Sequence, residues 1–277
     1  MVDGRAGLHI LRGEPELALA LLRAAGPAVQ TRQVPARTYC FYQFAALARV
    51  MQNRFRVEDA DVESMRQSLT AAQGSDDKDI GYATYYVGRL LLLQGRLAEA
   101  QEYFEAARIH AERIGEIQLM GPSLVGLSLT ALRGGDAELV RALAPQARAA
   151  ADAAPSAIVA VGAHACLAWL AWHDREADEV IRLAGHIAGL QAGASGSAYP
   201  HRWVYLFPLI AARLSTGEVG EAVAASRDLL HASQQLLSDD LGALVQAAGT
   251  AWDEDQPEQS AGHLSRALAL AHDLRYF

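Results

Sequence analysis

Apolar positions along this chain recur with the spacing of helix faces. Residues 88–107, GRLLLLQGRLAEAQEYFEAA, read as an apolar helix, a turn at Gly95 and an amphipathic helix. Alanine, leucine, arginine and glutamate, all strong helix formers, are abundant throughout. No run alternates apolar and polar residues over the length of a strand. The pattern therefore predicts an all-α fold.

The predicted turns recur at a nearly constant interval of 38 to 42 residues. They fall at Gly13, Phe55, Gly95, Gly135, Arg175, Gly217 and Asp255. A period in this range is typical of a solenoid of stacked helix pairs. We therefore predict a single domain over residues 1–277, made of about seven helix–turn–helix units. Their approximate bounds are 1–30 (truncated), 36–73, 79–114, 117–152, 157–190, 199–236 and 239–275.

The second helix of each unit carries small or apolar residues four and seven positions apart. In the third unit these are Ala100, Phe104 and Ala107. The same spacing in the first, fourth and seventh units gives Ala18, Leu22 and Ala25; Val140, Ala144 and Ala147; and Ser260, Leu264 and Ala267. Small residues let two helices approach closely, while a larger one fills the space between them.

The third unit resembles a tetratricopeptide repeat, most clearly over residues 81–114. The matching residues are Gly88 on the first helix, Gly95 at the turn, and Ala100, Phe104 and Ala107 on the second helix. Thr84 and Leu91 stand where the family prefers tryptophan and tyrosine, and Glu112 stands near the place of its terminal proline. The resemblance implies a right-handed superhelical solenoid, with units of about 40 residues instead of the family's 34.

A broader resemblance concerns the C-terminal third, which includes AWHDREADEVIRLAG and HLSRALALAHDLRYF. It is similar to the repeat regions of large bacterial regulators that join a STAND-type ATPase to a nucleotide cyclase or a LuxR-type DNA-binding domain. Arginine used almost entirely in place of lysine is typical of a high-GC bacterium. The resemblance implies that this chain is the repeat array of such a signalling or transcriptional regulator.

The first unit is truncated, since only about ten residues precede its turn at Gly13. Starting within a unit would expose an apolar helix face. We expect either further sequence upstream or a homodimer formed through this end.

Composition excludes several function classes. The 277 residues are 51% hydrophobic, which is enough for a sizeable core, and the net charge of −8 argues against direct nucleic-acid binding. The only lysine, Lys78, lies in GSDDKDIG, predicted to be a solvated loop, so no phosphate-binding P-loop is present. Cys40 and Cys166 are predicted to be reduced and buried. With neither a signal peptide nor a membrane-spanning run, we expect a cytoplasmic protein.

The first helix of each pair is expected to line the concave surface of the solenoid, where such arrays bind their partners. The repeat register places eight candidate residues on this predicted groove: Arg49, Tyr85, Arg89, Trp169, Trp172, His173, Phe207 and Trp252. Arginines toward one end and tryptophans toward the other would suit a peptide, a protein segment or a small-molecule effector. The alternative is that the tryptophans pack between units and that the arginines are solvated or ion-paired.

No other motif carries chemistry. The nine histidines lack metal-ligand spacing, and no cofactor or metal is expected. Asp174, in the sequence WHD, is predicted to cap a helix. The Gly/Ser-rich stretch 191–200 is predicted to be a flexible connector.

Two hypotheses of function follow. The first is a non-enzymatic module that binds a ligand or partner in its groove and shifts the equilibrium of attached domains. The second is an enzyme with an active site in a helical solenoid or toroid cavity. An open groove would favour the first hypothesis, and a closed cavity with clustered carboxylates or histidines would favour the second.

Overall fold

A computed structural model of the chain describes residues 2–32, 35–193 and 199–277. These residues form fourteen α-helices and no β-strand, as the periodicity predicts. The helices are α1 (Val2–Leu11), α2 (Pro15–Arg32), α3 (Pro35–Gln52), α4 (Asp59–Ala72), α5 (Asp77–Gln94), α6 (Leu97–Ile114), α7 (Ile117–Gly134), α8 (Ala137–Ala153), α9 (Ala157–His173), α10 (Ala177–Gly193), α11 (Trp203–Ser215), α12 (Val219–Asp228), α13 (Asp239–Asp253) and α14 (Pro257–Asp273).

The seven predicted turns are confirmed by the backbone. Each predicted residue has a positive φ, from 58° to 87°: Gly13, Phe55, Gly95, Gly135, Arg175, Gly217 and Asp255. Gly95, with φ of 87°, ends α5 in the left-handed conformation. Its N–H donates to the carbonyl of Leu92, and the N–H of Arg96 donates to that of Leu91. This pair of bonds satisfies carbonyls that the end of α5 would otherwise leave unpaired.

The helices pack in chain order, each against the next. The odd-numbered helices from α1 to α11 also contact one another in succession, and so form an inner row. The residues spaced four and seven positions apart on the second helices lie within these helix contacts. On α6, Ala100, Phe104 and Ala107 are all buried. Among the described residues α13 does not continue the row, since α14 is the helix that packs on α11.

The segment between α12 and α13 contacts residues from the first half of the sequence. The N–H of Leu236 donates to the carbonyl of Arg54 over 2.9 Å. The Arg54 guanidinium donates to the carbonyl of Leu230 over 3.0 Å, and the Gln235 amide donates to the carbonyl of Leu93 over 2.9 Å. These bonds join residues up to 182 positions apart in the sequence, so the inner row is bridged by the chain itself.

The stretch around Lys78 differs from its prediction as a solvated loop. It is the start of α5, where the Asp76 carboxylate accepts a hydrogen bond from the N–H of Asp79. The Lys78 ammonium lies 2.8 Å from a carboxylate oxygen of Glu116. Acidic residues in a first turn are stabilised by the helix dipole, which is why this charged stretch folds as helix.

The two cysteines differ in burial. Cys166 on α9 is fully buried, and burial raises the pKa of its thiol to about 12, so the thiol stays protonated. Cys40 is only partly buried, where burial was predicted for both. None of the helices among the described residues is both long and apolar enough to span a bilayer.

Candidate functional site

The eight predicted groove residues do not form one surface. Tyr85 and Arg89 line a cavity against the inner row, which we call the inner cavity. Trp169, Trp172 and His173 border a separate opening, which we call the aromatic cleft. The other three, Arg49, Phe207 and Trp252, line neither space.

Arg49 is engaged at the junction of α3 and α4. Its Nε donates to Oδ1 of Asp61 over 2.9 Å. The Asp61 carboxylate is buried, and its second oxygen accepts the N–H of Glu58 over 3.1 Å. Arg49 therefore neutralises a buried carboxylate that holds the first turn of α4. This contact matches the ion-paired alternative.

The aromatic cleft is closed on one side by the residues that follow α14. The ring of Phe277 lies 4.7 Å from that of Trp172 and stacks on that of Phe207 at 5.3 Å, measured between centroids. Tyr276 contacts Phe207 from the other side, at 5.8 Å. Trp169 is only 3% exposed. The burial of Trp169 favours the packing alternative for this tryptophan, and Phe207 is likewise packed among aromatic rings.

What remains of the aromatic cleft is a volume of about 530 Å³ at the ends of α7, α9 and α14. His173 lines it, with its ring 5.5 Å from that of Trp169. Arg133 lines it too, although this guanidinium already donates to the carbonyl of Leu92 over 2.9 Å. Arg133 is thus committed to the protein, whereas the buried indole Nε1 of Trp169 has no hydrogen-bond partner among the described residues.

Asp174 is the C-cap residue of α9, where its N–H donates to the carbonyl of Leu170 over 2.8 Å, but its carboxylate caps no helix start. It follows the last residue of α9, and both its oxygens accept hydrogen bonds from Arg141 of α8, at 2.8 and 3.0 Å. Arg141, and secondarily His173, hold the pKa of this carboxyl well below its usual range. A bidentate arginine–carboxylate pair of this kind is a charge-assisted interaction that joins α8 to the end of α9.

Trp252 lies on α13, away from the inner row. Its ring covers Gly220 of α12 so closely that a Cβ added to that glycine would come within 2.9 Å of the ring. The indole is still 37% exposed. Trp252 therefore secures the contact between α12 and α13 and lines neither space.

The inner cavity has a volume of about 160 Å³ and lies among α5, α6, α7 and the start of α9. Its apolar wall consists of Leu92, Phe104, Pro122, Val125, Leu129 and Val159. Tyr85 and Arg89 are four residues apart on α5, so they share one helix face and reach the cavity together. A smaller apolar cavity of about 110 Å³ adjoins it and is also lined by Arg89.

Two further residues, which precede α11 at the start of the sixth predicted unit, border the inner cavity. Tyr199 and His201, from the segment before α11, are 4% and 5% exposed and line the cavity. Among the described residues, neither the Tyr199 hydroxyl nor Nδ1 of His201 has a hydrogen-bond partner. Buried polar atoms are seldom left without a partner, so these two mark a place where a ligand or a water could be held.

The electrostatics of the inner cavity are dominated by one cation. Burial, with smaller contributions from Arg89 and Arg133, lowers the pKa of His201 to about 3, so its imidazole is neutral. Burial raises the pKa of Tyr199 and Tyr85, and both phenols stay protonated. Arg89 is therefore the single charged side chain among the described residues that line the cavity.

The sequence prediction misses Tyr199 because it assigns 191–200 to a flexible connector, and it does not single out His201, which directly follows that stretch. The structure differs at both ends of that stretch: α10 continues to Gly193, and Tyr199 and Pro200 are buried. Residues 194–198 of the connector lie outside the described residues. The signal that could have found the site is the density of rings in YPHRW, residues 199–203, within a stretch otherwise made of small residues.

No group of three or more histidine, cysteine, aspartate or glutamate side chains is placed to hold a metal ion within the described part of the chain. Comparison of the sequence with protein-family models and with curated proteins gave no match.

Proposed function

We propose that this chain is a non-enzymatic ligand-binding module, with the inner cavity as its binding site. The observation that carries the proposal is the cavity itself. An apolar wall faces a small set of convergent polar groups, two of which, Tyr199 and His201, are buried without partners. Apolar cavities with a few placed polar groups are the usual form of small-molecule sites.

The architecture proposed for the module is a right-handed solenoid of about seven tetratricopeptide-like units. Support comes from the succession of helix pairs, from the recurring left-handed turns, and from the inner row formed by α1 to α11. In this proposal the bridge from α12–α13 to Arg54 closes the concave side over the inner row.

A small molecule suits this geometry better than a peptide or protein segment. Tyr276 and Phe277 occupy the aromatic surface on which a peptide would lie. In the inner cavity, by contrast, there is space for a compact ligand while the protein's own contacts stay in place. We therefore assign the ligand to the class of small-molecule effectors.

The enzyme hypothesis finds less support. General acid–base catalysis needs groups whose pKa values lie near neutrality. The inner cavity has no carboxylate among its described lining residues, and the pKa of His201, at about 3, is far from that range. The clustered carboxylates or histidines that would favour an enzyme are missing from the described lining of the cavity.

The wider setting is proposed from the resemblance of the C-terminal third. As the repeat array of a multidomain signalling or transcriptional regulator, the module would transmit ligand binding to attached domains. That requires the ligand to bind one conformation of the array more tightly than another. The inner cavity could provide this difference, since it joins helices of three predicted units to the segment before α11.

The proposal is tested by titrating the purified chain with benzoate and with the neutral benzamide, followed by ligand-observed NMR. For ligands of this size we expect a Kd on the order of 1 mM or below. In Leu129→Phe, the added ring volume should fill the cavity and weaken binding, since Leu129 is buried in its wall. Leu274→Phe is the control, because Leu274 is 41% exposed and lies outside the cavity.

If neither benzoate nor benzamide binds to the wild-type chain, the proposal is contradicted. Binding that persists unchanged in Leu129→Phe, when circular dichroism shows that the variant is folded, also contradicts it. If Leu129→Phe does not fold, His201→Phe provides a second way to fill the cavity from the opposite wall.

A further inference from the structure

The inner cavity has a side suited to an anion. The helix α9 begins there: Ser156, Ile158 and Val159 all line the cavity. The side chain of Ser156 makes no capping hydrogen bond. The first-turn N–H groups of Ala157, Ile158 and Val159 accordingly have no acceptor among the described residues. The start of a 17-residue helix thus presents free donors and the positive end of its dipole.

Arg89 adds a full positive charge to the same small space. It forms no ion pair and no hydrogen bond to any described residue. Among the described arginines near the inner row, Arg49 is paired with Asp61 and Arg133 donates to the carbonyl of Leu92. Arg202, at the start of α11, has a buried Nε without a described partner, but it does not line the cavity. An arginine that faces an apolar cavity without a carboxylate partner leaves a charge that a ligand could neutralise.

The polar groups opposite Arg89 suit a carboxylate. His201 and Tyr199 are neutral and each has an unpartnered polar atom, and the Tyr199 hydroxyl can donate a hydrogen bond. The positive charge of Arg89 and the partial positive charge at the start of α9 together balance a single negative charge. A dianion such as phosphate would retain uncompensated charge against the apolar wall.

The size of the cavity limits the apolar part of the ligand. A cavity of about 150 Å³ lined by apolar side chains is large enough to hold benzene. The inner cavity, at about 160 Å³, is of that size, and its lining includes both apolar and polar side chains. One ring or a short branched chain would fill it.

From these features we infer that the inner cavity takes a small organic monocarboxylate with a compact aromatic or branched apolar body. The carboxylate lies between Arg89 and the start of α9, and the apolar body lies against Leu92, Val125 and Leu129. This inference rests on the proposed function and names its ligand class.

The test compares benzoate with benzamide, which has nearly the same shape and no charge. For the wild-type chain at neutral pH, benzoate should bind at least about tenfold more tightly, as expected for charge-assisted hydrogen bonds. In Arg89→Gln this preference should disappear, while benzamide binding stays within about twofold. Arg266→Gln is the matched control, because Arg266 is an exposed arginine on α14.

Arg89→Lys provides a second variant that keeps the charge. It should retain part of the preference, since lysine offers a point charge in place of the guanidinium fork. The wild-type comparison of benzoate with benzamide needs no variant, so it remains decisive if either substitution prevents folding.

The outcomes separate the inference from the function on which it rests. Equal affinity for benzoate and benzamide, or a preference that survives in Arg89→Gln, overturns the monocarboxylate assignment and leaves the binding function standing. Loss of the preference in Arg266→Gln as well would place the anion elsewhere and overturn the assignment too. Failure of both probes to bind the wild-type chain overturns the function and the assignment together.

Discussion

At His201, burial and neighbouring charge act in the same direction. Both lower its pKa, to about 3, so the folded chain holds this imidazole neutral where an exposed histidine would take up a proton. The unfolded chain binds that proton as the pH falls below about 6.5. The stabilising contribution is therefore fully present above that pH and is lost as the pH falls toward 3.

We predict that His201→Gln flattens this part of the pH profile. Wild type should lose about 1–2 kcal/mol of unfolding free energy between pH 7 and pH 5 relative to the variant, measured by urea denaturation. His186→Gln, at an exposed position on α10, should follow the wild-type profile. A constant difference between wild type and His201→Gln across this pH range would show that the histidine is not held neutral.

At the scale of helices, the contact of α6 with α7 depends on a missing side chain. Phe104 of α6 is 1% exposed, and a Cβ added to Gly126 of α7 would come within 2.6 Å of its ring. Gly126→Ala should therefore destabilise the fold by about 1–3 kcal/mol, because the close-packed ring must shift. The midpoint of urea denaturation measures this change.

Gly185→Ala is the matched control on α10. A Cβ there meets nothing within 4 Å, and the residue is exposed in a helix interior. The substitution should stabilise the fold by about 0.5–1 kcal/mol, since alanine loses less conformational freedom than glycine. Equal effects of the two substitutions would mean that the α6–α7 contact is not set by Gly126.

Local features of these helices could be predicted because they depend on local sequence. Phe104 was identified from its place between Ala100 and Ala107, and the turn at Gly95 from the break between two helical patterns. Even Arg175 and Asp255, which lack a glycine's freedom, are predicted as turns from the polar stretches between two helical patterns, and both have positive φ. A repeating pattern specifies spacing along the chain and the face that each helix buries.

At the scale of the whole molecule, the repeat pattern does not predict contacts between segments that are distant in the sequence. The bond from Leu236 to Arg54 and the stacking of Phe277 on Phe207 join segments that the repeat register treats as unrelated. For this reason, the sequence predicts only some of the residues that line the inner cavity. Arg89 and Tyr85 follow from the register of α5, whereas Tyr199 and His201 reach the cavity from outside it.

The ring of Phe277 is the clearest test of that long-range packing. It is 9% exposed and lies between the rings of Trp172 on α9 and Phe207 on α11. Truncation of a buried phenylalanine usually costs about 3–5 kcal/mol, so Phe277→Ala should lower the unfolding free energy by about 2–4 kcal/mol. Leu274→Ala, at an exposed position three residues earlier, should change it by less than about 0.5 kcal/mol.

Hydrogen exchange locates the effect of Phe277→Ala. If Phe277 joins α14 to the inner row, amides of α9 and α11 should exchange faster in the variant, along with those of α14. Tryptophan fluorescence should also change, because Trp172 loses the ring beside it. Faster exchange confined to α14 would mean that each helix pair is stabilised by its neighbours alone, as in an open array, and that the chain's own bridges do not close it.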